Sequence, residues 1–201
     1  MRSRAGIRFL ATTLLLVAAR ALDAITTWTA TRDLALESNP LTYVLPPHFR
    51  WWGLVLVNAI VAALMVIAAW HAAFAPAPLP RERGLDLPAF VARYWFARPG
   101  RRSVAQAVFW LPADARVRWG FIGGPGAVLV IVASGVAATW NLLVARHIVA
   151  DPAIGRLWLV VFWLGVALGL ALAVRLFLVR AYRRYARRVS STAPTHAAAS
   201  S

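Results

Sequence analysis

The sequence predicts an all-α fold: a polytopic membrane protein with four transmembrane helices and with amphipathic interfacial helices between the second and the third. Of the 201 residues, 61% are hydrophobic and 14% are charged, against about 25% charged residues in a soluble domain. Four apolar stretches reach the roughly 20 residues that a helix needs to cross a bilayer. Arginines gather beside alternate ends of these stretches, as the positive-inside rule predicts for a multi-pass protein.

The four predicted spans are joined by one long and two short connections. They are residues 7–31, 51–74, 126–146 and 154–179. The chain accordingly divides into a first helical pair (1–74), a basic and aromatic segment (75–124), a second helical pair (125–188) and a disordered tail (189–201). The first span resembles a signal peptide at its start, but its apolar character continues to Trp28, so we expect it to be retained.

The charge distribution predicts the topology and excludes some partners. The net charge is +15 and every basic residue is arginine. Because the arginines precede the first span, fill the long connection and follow the fourth span, we expect both termini and the long segment on the cytoplasmic side of a prokaryotic inner membrane. The same placement explains the charge without nucleic acid, for which no binding signature is present. We expect anionic lipids as partners on the cytoplasmic side.

The segment between the second and third spans is predicted to lie at the membrane surface. Its apolar and aromatic residues recur at helical spacing and are Phe90, Val91, Tyr94 and Trp95. This pattern favours a helix in the lipid headgroup layer, and a second short helix is predicted from Ser103 as N-cap to Trp110. About 50 residues of this kind are too few to bury an independent core. The arginines expected to contact lipid headgroups are Arg93, Arg98, Arg183, Arg184, Arg187 and Arg188.

Two glycine patterns have different meanings. The run GFIGGPGA at residues 120–127 lacks a following GK[ST] and leads directly into an apolar span, so it predicts tight helix entry and no nucleotide loop. Gly165 and Gly169 form a GxxxG pattern in the fourth span, which favours close packing of another helix. That helix would belong to the same chain, to a second copy or to a partner membrane protein.

Polar residues interrupt the first span. Arg20 and Asp23 each cost about 2.5 to 3.5 kcal/mol at a helix centre, so they require partners. Counting 1.5 Å per residue from the ends of the spans places polar side chains of the first three helices at similar depth. The residues expected to form this cluster, with the loop that follows the first span, are Arg20, Asp23, Thr27, Glu37, Asn39, Asn58 and Asn141.

The cluster has two interpretations at this point. Arg20 and Asp23 would pair within one helix while asparagines bond across helices, which is a purely structural role. Alternatively, Asp23 belongs to a site for a ligand, an ion or a proton, since ionisable residues inside a membrane commonly mark such sites.

Known catalytic patterns are absent or incomplete. His71 is expected at the cytoplasmic end of its span and His147 at the outer end of its own, which argues against a haem held between them. Neither HExxH nor GxSxG occurs. The lack of cysteine excludes thiolate metal sites. We therefore expect no cofactor and no metal, and favour a non-enzymatic component that binds a partner helix, a lipid or a small ligand. The alternatives are a small transporter or proton-coupled carrier using Asp23, and a membrane-embedded hydrolase using Asp23 with Glu37.

The first span and its following loop resemble a known family. Read together, Asp23, Thr27, Glu37, and the Asn39-Pro40-Leu41 turn form a D-x3-T-x9-E-x-N-P-L pattern. This pattern is similar to the signature of a family of small prokaryotic integral membrane proteins of unknown function, over residues 14–70. The resemblance implies a helical membrane fold and draws attention to Asp23, but it implies no activity.

Overall fold

The computed structural model of the protein describes residues 4–32, 46–146, 148 and 152–191. Within these residues, helices are the only regular secondary structure. The helices in chain order are α1 (Arg4–Ala30), α2 (Arg50–Phe74), α3 (Leu87–Phe96), α4 (Val104–Val108), α5 (Ala115–Phe121), α6 (Ala127–Ala145) and α7 (Pro152–Ser191). A 3-10 turn at Pro47–Phe49 precedes α2, and a π-helical turn at Ile122–Gly126 joins α5 to α6.

Within the part of the chain that the structure describes, four helices are long and apolar enough to cross a membrane, which confirms the predicted fold class. The chain is therefore a multi-pass membrane protein. Two spans are longer than predicted. The third runs unbroken over Ala115–Ala145, because the π-helical turn continues the helix, and α7 extends to Ser191. Arginine is a good helix former and neither glycine nor proline interrupts residues 180–191, so residues 189–191, which were predicted to belong to the tail, are helical. Residues 192–201 lie outside the described residues.

The two ends of the helical bundle differ in charge. Helix α1 begins and α7 ends at the same end, which carries Arg4, Arg8 and the arginines of residues 180–188. We call it the basic end. Helix α1 packs against both α2 and α6, and α7 packs against α6 and the π-helical turn.

Two helix backbones approach each other closely at the π-helical turn. A Cβ atom at Gly123 would overlap the backbone of Ala68 and Ala69 in α2. Both alanines are buried. Since Pro125 lies inside the turn and has no N–H for an α-helical hydrogen bond, the local π geometry has an identifiable cause. Glycine at residue 123 is thus required by packing, in agreement with the helix-entry interpretation.

Three short helices form a layer on α7 at the basic end. Phe90, Val91, Tyr94 and Trp95 of α3 are buried here together with residues of α5 and α7. The expectation that this aromatic face lies in lipid headgroups is therefore wrong. Its partner is the C-terminal half of α7, which presents one apolar stripe at helical spacing from the end of the predicted span onward: Val174, Leu178, Ala181 and Tyr185. The segment could not bury a core alone, but α7 completes one.

Side-chain caps determine where the short helices begin. Asp86 accepts a hydrogen bond from the Ala89 amide at 3.0 Å. Asp114 accepts from the Arg116 and Val117 amides. Ser103 is the predicted N-cap of α4, and it forms a capping box with Gln106, although α4 ends at Val108 and not at Trp110.

Candidate functional site

An arginine inside the membrane-spanning part of α1 links two helices. Arg20 lies about 5 Å from the middle of α1. Its Nη1 donates to Asp23 Oδ2 at 3.1 Å and to Ser134 Oγ of α6 at 3.0 Å. The Arg20 and Asp23 side chains are 23% and 19% exposed, and Ser134 is buried. The positive charge is thus compensated within its own helix, and the same guanidinium ties α1 to α6.

A second polar contact joins the same two helices one level further along. Asn141 Nδ2 donates to Thr27 Oγ1 at 3.0 Å and lies 3.5 Å from Thr26 Oγ1. Thr26 and Thr27 are buried. Thr27 follows Arg20 by seven residues, as Asn141 follows Ser134, so each pair of residues lies on one helix face. The two contacts form a ladder with rungs about 10 Å apart.

The ladder includes only part of the predicted cluster. The structure brings Arg20 to Asp23 and Thr27 to Asn141. Asn58 instead donates from Nδ2 to the Leu54 carbonyl of its own helix at 2.9 Å. Its Oδ1 is buried and accepts no hydrogen bond from the described residues. Glu37 and Asn39 lie outside the described residues, as does the Pro40-Leu41 turn.

Sequence reasoning missed Ser134, although a signal was present. Serine inside an apolar span is easily taken for a small packing residue, and its neighbours are alanine and glycine. Its position seven residues before Asn141 places both side chains on one face of α6, and α1 offers Arg20 and Thr27 at the same interval. Matching these two intervals would have identified the ladder.

The described residues contain no group of three His, Cys, Asp or Glu side chains that could hold a metal ion. Arg20 uses Nη1 for both of its hydrogen bonds, while its Nε is buried without a hydrogen-bond partner among the described residues. The ladder as a whole pairs charge with counter-charge and hydroxyl with amide. Such pairing suits the assembly of helices in a membrane.

A scan of protein-family models, a search of curated proteins and a search of solved structures find no match to this chain.

A groove of about 960 Å³ lies between α6 and α7 at the basic end. Its apolar lining comes from the π-helical turn, α6 and α7: Pro125, Val128, Leu129, Val132, Gly169, Leu172, Ala173, Leu176 and Phe177. Its basic lining consists of Arg180, Arg183, Arg184 and Arg187. The groove is thus apolar along one part and cationic along the other.

The arginines of the groove have no ion pair with the described residues. The spacing of Arg180, Arg184 and Arg187 places them along one side of α7. Arg183, Arg184 and Arg187 were predicted to contact headgroups, and Arg180 is the first residue of the same polybasic stretch after the predicted span.

The remaining predicted headgroup arginines lie elsewhere. Arg93 forms an ion pair with Glu82 at 3.1 Å. Arg98 is exposed in the turn after α3, and its backbone N–H donates to the Ala92 carbonyl. Arg188 is exposed on α7 and does not line the groove.

The two glycines of the GxxxG pattern have different surroundings. A Cβ atom at Gly169 would lie 2.8 Å from Leu129 Cδ1 of α6. Gly169 therefore permits the close approach of α7 to α6 beside the groove. Gly165 is exposed, and a Cβ there would have no described atom within 4 Å. Among the described residues of one copy, Gly169 contacts a neighbouring helix and Gly165 does not.

Proposed function

We propose that this protein is a non-enzymatic membrane component that binds an anionic phospholipid in the groove between α6 and α7. The proposal places it in a prokaryotic inner membrane, with both termini and the helical layer on the cytoplasmic side. The single observation that carries it is an apolar groove that ends in four arginines without ion pairs among the described residues.

The dimensions of the groove suit an amphiphile. Its apolar part follows α7 from Gly169 to Phe177, about 12 Å along the helix axis. Its basic part continues from Arg180 to Arg187, about 10 Å further along the same helix axis. A ligand that matches both parts has a hydrocarbon chain and an anionic head. A membrane phospholipid with a net negative charge meets both conditions.

Arginine is well suited to the head of such a lipid. Its planar guanidinium donates two parallel hydrogen bonds to a phosphate. Basic pockets between transmembrane helices on the cytoplasmic side are known to bind anionic headgroups. The positive-inside rule, applied to the arginines at the basic end, supports the orientation that places the groove in that leaflet.

The polar ladder has a structural role in this proposal. Asp23 faces a guanidinium at 3.1 Å, and Thr27 is bonded to Asn141. The ladder would fix α1 on α6, and α6 supplies one wall of the groove.

Reconstitution with defined lipids tests the proposal. Native mass spectrometry of the protein from mixed vesicles of phosphatidylglycerol and phosphatidylcholine should show retained phosphatidylglycerol. Replacing Arg183 and Arg187 by Gln should weaken retention roughly thirty-fold, at about 1 kcal/mol per arginine. Replacing Arg81 and Arg83 by Gln removes the same charge at exposed residues outside the groove and should have little effect.

A second variant tests the apolar part. Val132→Trp would fill the groove wall on α6 without changing charge, and it should also reduce retention. Equal losses in the two arginine double variants would mean general attraction between charges and would contradict a site. Retention of phosphatidylcholine as strong as that of phosphatidylglycerol would also contradict it.

A further inference from the structure

Three consecutive large apolar residues are exposed in the layer at the basic end. Phe109 is 83% exposed, Trp110 is 67% exposed and Leu111 is 67% exposed. We call these residues the apolar tip. They follow α4 and precede the N-cap of α5. Three adjacent exposed apolar residues are unfavourable in water, and such a patch marks contact with another apolar surface.

The backbone of the apolar tip and of the two residues after it is held on its inner side. The Trp95 indole donates to the Trp110 carbonyl at 2.8 Å. The Ala113 amide donates to the Trp95 carbonyl at 2.8 Å. The Arg118 guanidinium donates to the Pro112 carbonyl at 3.1 Å and to that of Ala113 at 3.3 Å.

This anchoring separates the backbone from the side chains. The buried Trp95 and the buried Pro112 hold the turn in place, while the three large side chains remain outside the core. A tip held in this way does not lose further backbone entropy when it enters an apolar phase.

The depth of the tip follows from the helices that hold it. Trp95 packs on Phe121 and Phe177, at ring-centroid distances of 5.3 and 6.1 Å. Phe177 lies about 38 Å along α7 from Pro152, and Phe121 lies about 36 Å along its helix from Ala145.

The counts along the two helices therefore place Phe121 and Phe177 at the same depth in the membrane. The hydrocarbon layer is about 30 Å thick and the headgroup regions add several ångströms on each side. The rings of Phe121 and Phe177 then lie in the headgroup region at the basic end. Any tilt of the helices, or any protrusion at their far ends, would bring this level closer to the hydrocarbon.

The layer also reaches deeper than this level. Its core is packed against Leu170 and Ala173 of α7. By the same count, Leu170 lies about 27 Å from Pro152, inside the hydrocarbon. The layer is therefore seated at the membrane boundary and is not held away from it on a stalk.

We propose that the apolar tip inserts into the leaflet of the protein's own membrane at the basic end. Tryptophan favours the interface between headgroups and hydrocarbon. The exposed Arg102 and Arg116 supply flanking positive charge for an anionic surface. The tip takes the lipid-facing role that the sequence had suggested for the aromatic residues of α3. This inference is independent of the groove, because no residue of the tip lines it.

Single cysteine labels test the inference, because the chain contains no cysteine. Phe109→Cys and Leu111→Cys, each labelled with a polarity-sensitive fluorophore, report on the tip in vesicles of phosphatidylglycerol and phosphatidylcholine. Leu168→Cys is the control inside the span, since this residue is exposed on α7. Ser190→Cys is the aqueous control, about 20 Å beyond Phe177 on α7.

Two quenchers distinguish the environments. We expect nitroxide-labelled lipid acyl chains to quench the tip labels and the Leu168 label, and aqueous iodide to quench only the Ser190 label. Tip labels quenched by iodide alone would overturn the proposal. Tip labels shielded from both quenchers would also overturn it, because a protein surface and not lipid would then cover the tip.

Discussion

Gly123 offers a sharp test of the packing, because a neighbouring glycine serves as a matched control. In Gly123→Ala the added methyl group would overlap backbone atoms of Ala68 and Ala69, whereas in Gly124→Ala it would meet no described atom within 4 Å. Backbone atoms in the middle of a helix cannot rotate away as a side chain can. Helix α2 and the π-helical turn must therefore move apart in the first variant.

The two substitutions should have different effects on the free energy of unfolding. Overpacking a core by one methyl group typically costs about 1 to 3 kcal/mol, and we expect the upper end for Gly123→Ala because backbone is displaced. Gly124→Ala should be neutral or stabilise the helix by up to about 1 kcal/mol. The two variants should differ by about 3 kcal/mol, which is more than a hundred-fold in the unfolding equilibrium.

Unfolding in mixed micelles of mild detergent and increasing SDS, followed by tryptophan fluorescence, measures this difference. The wild-type protein and both variants are compared at the same micelle concentration. Equal stability of the two variants would refute the conclusion that the approach of α2 to the turn requires glycine. A large loss in Gly124→Ala would refute the assignment of open space at that residue.

Two further predictions concern ionisable groups. Asp23→Asn should destabilise the protein by about 3 kcal/mol, because it leaves Arg20 charged inside the span without its carboxylate. Adding Arg20→Gln to this variant should restore most of the lost stability in the SDS titration. A stable Asp23→Asn variant that has lost a transport flux would favour a carrier instead. Burial raises the pKa of Tyr94; Arg184 lowers this pKa and Asp114 raises it. The neutral phenol therefore contributes its full share of stability below about pH 10, and this share is lost as the pH rises through the raised pKa. Near-ultraviolet circular dichroism against pH should show a smaller alkaline loss of structure in Tyr94→Phe, and an unchanged alkaline transition would contradict this role of Tyr94.

The sequence predicted the spans well because apolar length is a local property. It also predicted the N-cap at Ser103, because the capping box uses residues three apart in the chain. Arg20 with Asp23 could be paired on the same ground. Depth counting brought Thr27 and Asn141 to one level, and the structure places them 3.0 Å apart.

The prediction of side-chain contacts failed where a contact depends on which face of a helix is turned toward its neighbour. Asn58 had the right depth but bonds to Leu54 of its own helix, because depth does not determine the rotation of a helix about its axis. The aromatic side of α3 was indistinguishable from a lipid-facing surface, since burial in protein and burial in lipid select the same residues. Only the extended stripe on α7 showed that it is covered by protein.

By itself, the sequence determined a four-span helical protein with an arginine-rich end and with charged residues in its first span that require compensation. Tertiary structure alone decided that Arg20 donates hydrogen bonds to both Ser134 and Asp23. It also decided that Gly123 lies against the backbone of α2, and that four arginines of α7 continue an apolar groove between α6 and α7. Hydropathy and helical periodicity are properties of neighbouring residues and can be read along one chain. A groove or an interhelical hydrogen bond depends on the rotation and distance of two helices, which their own residues do not determine separately.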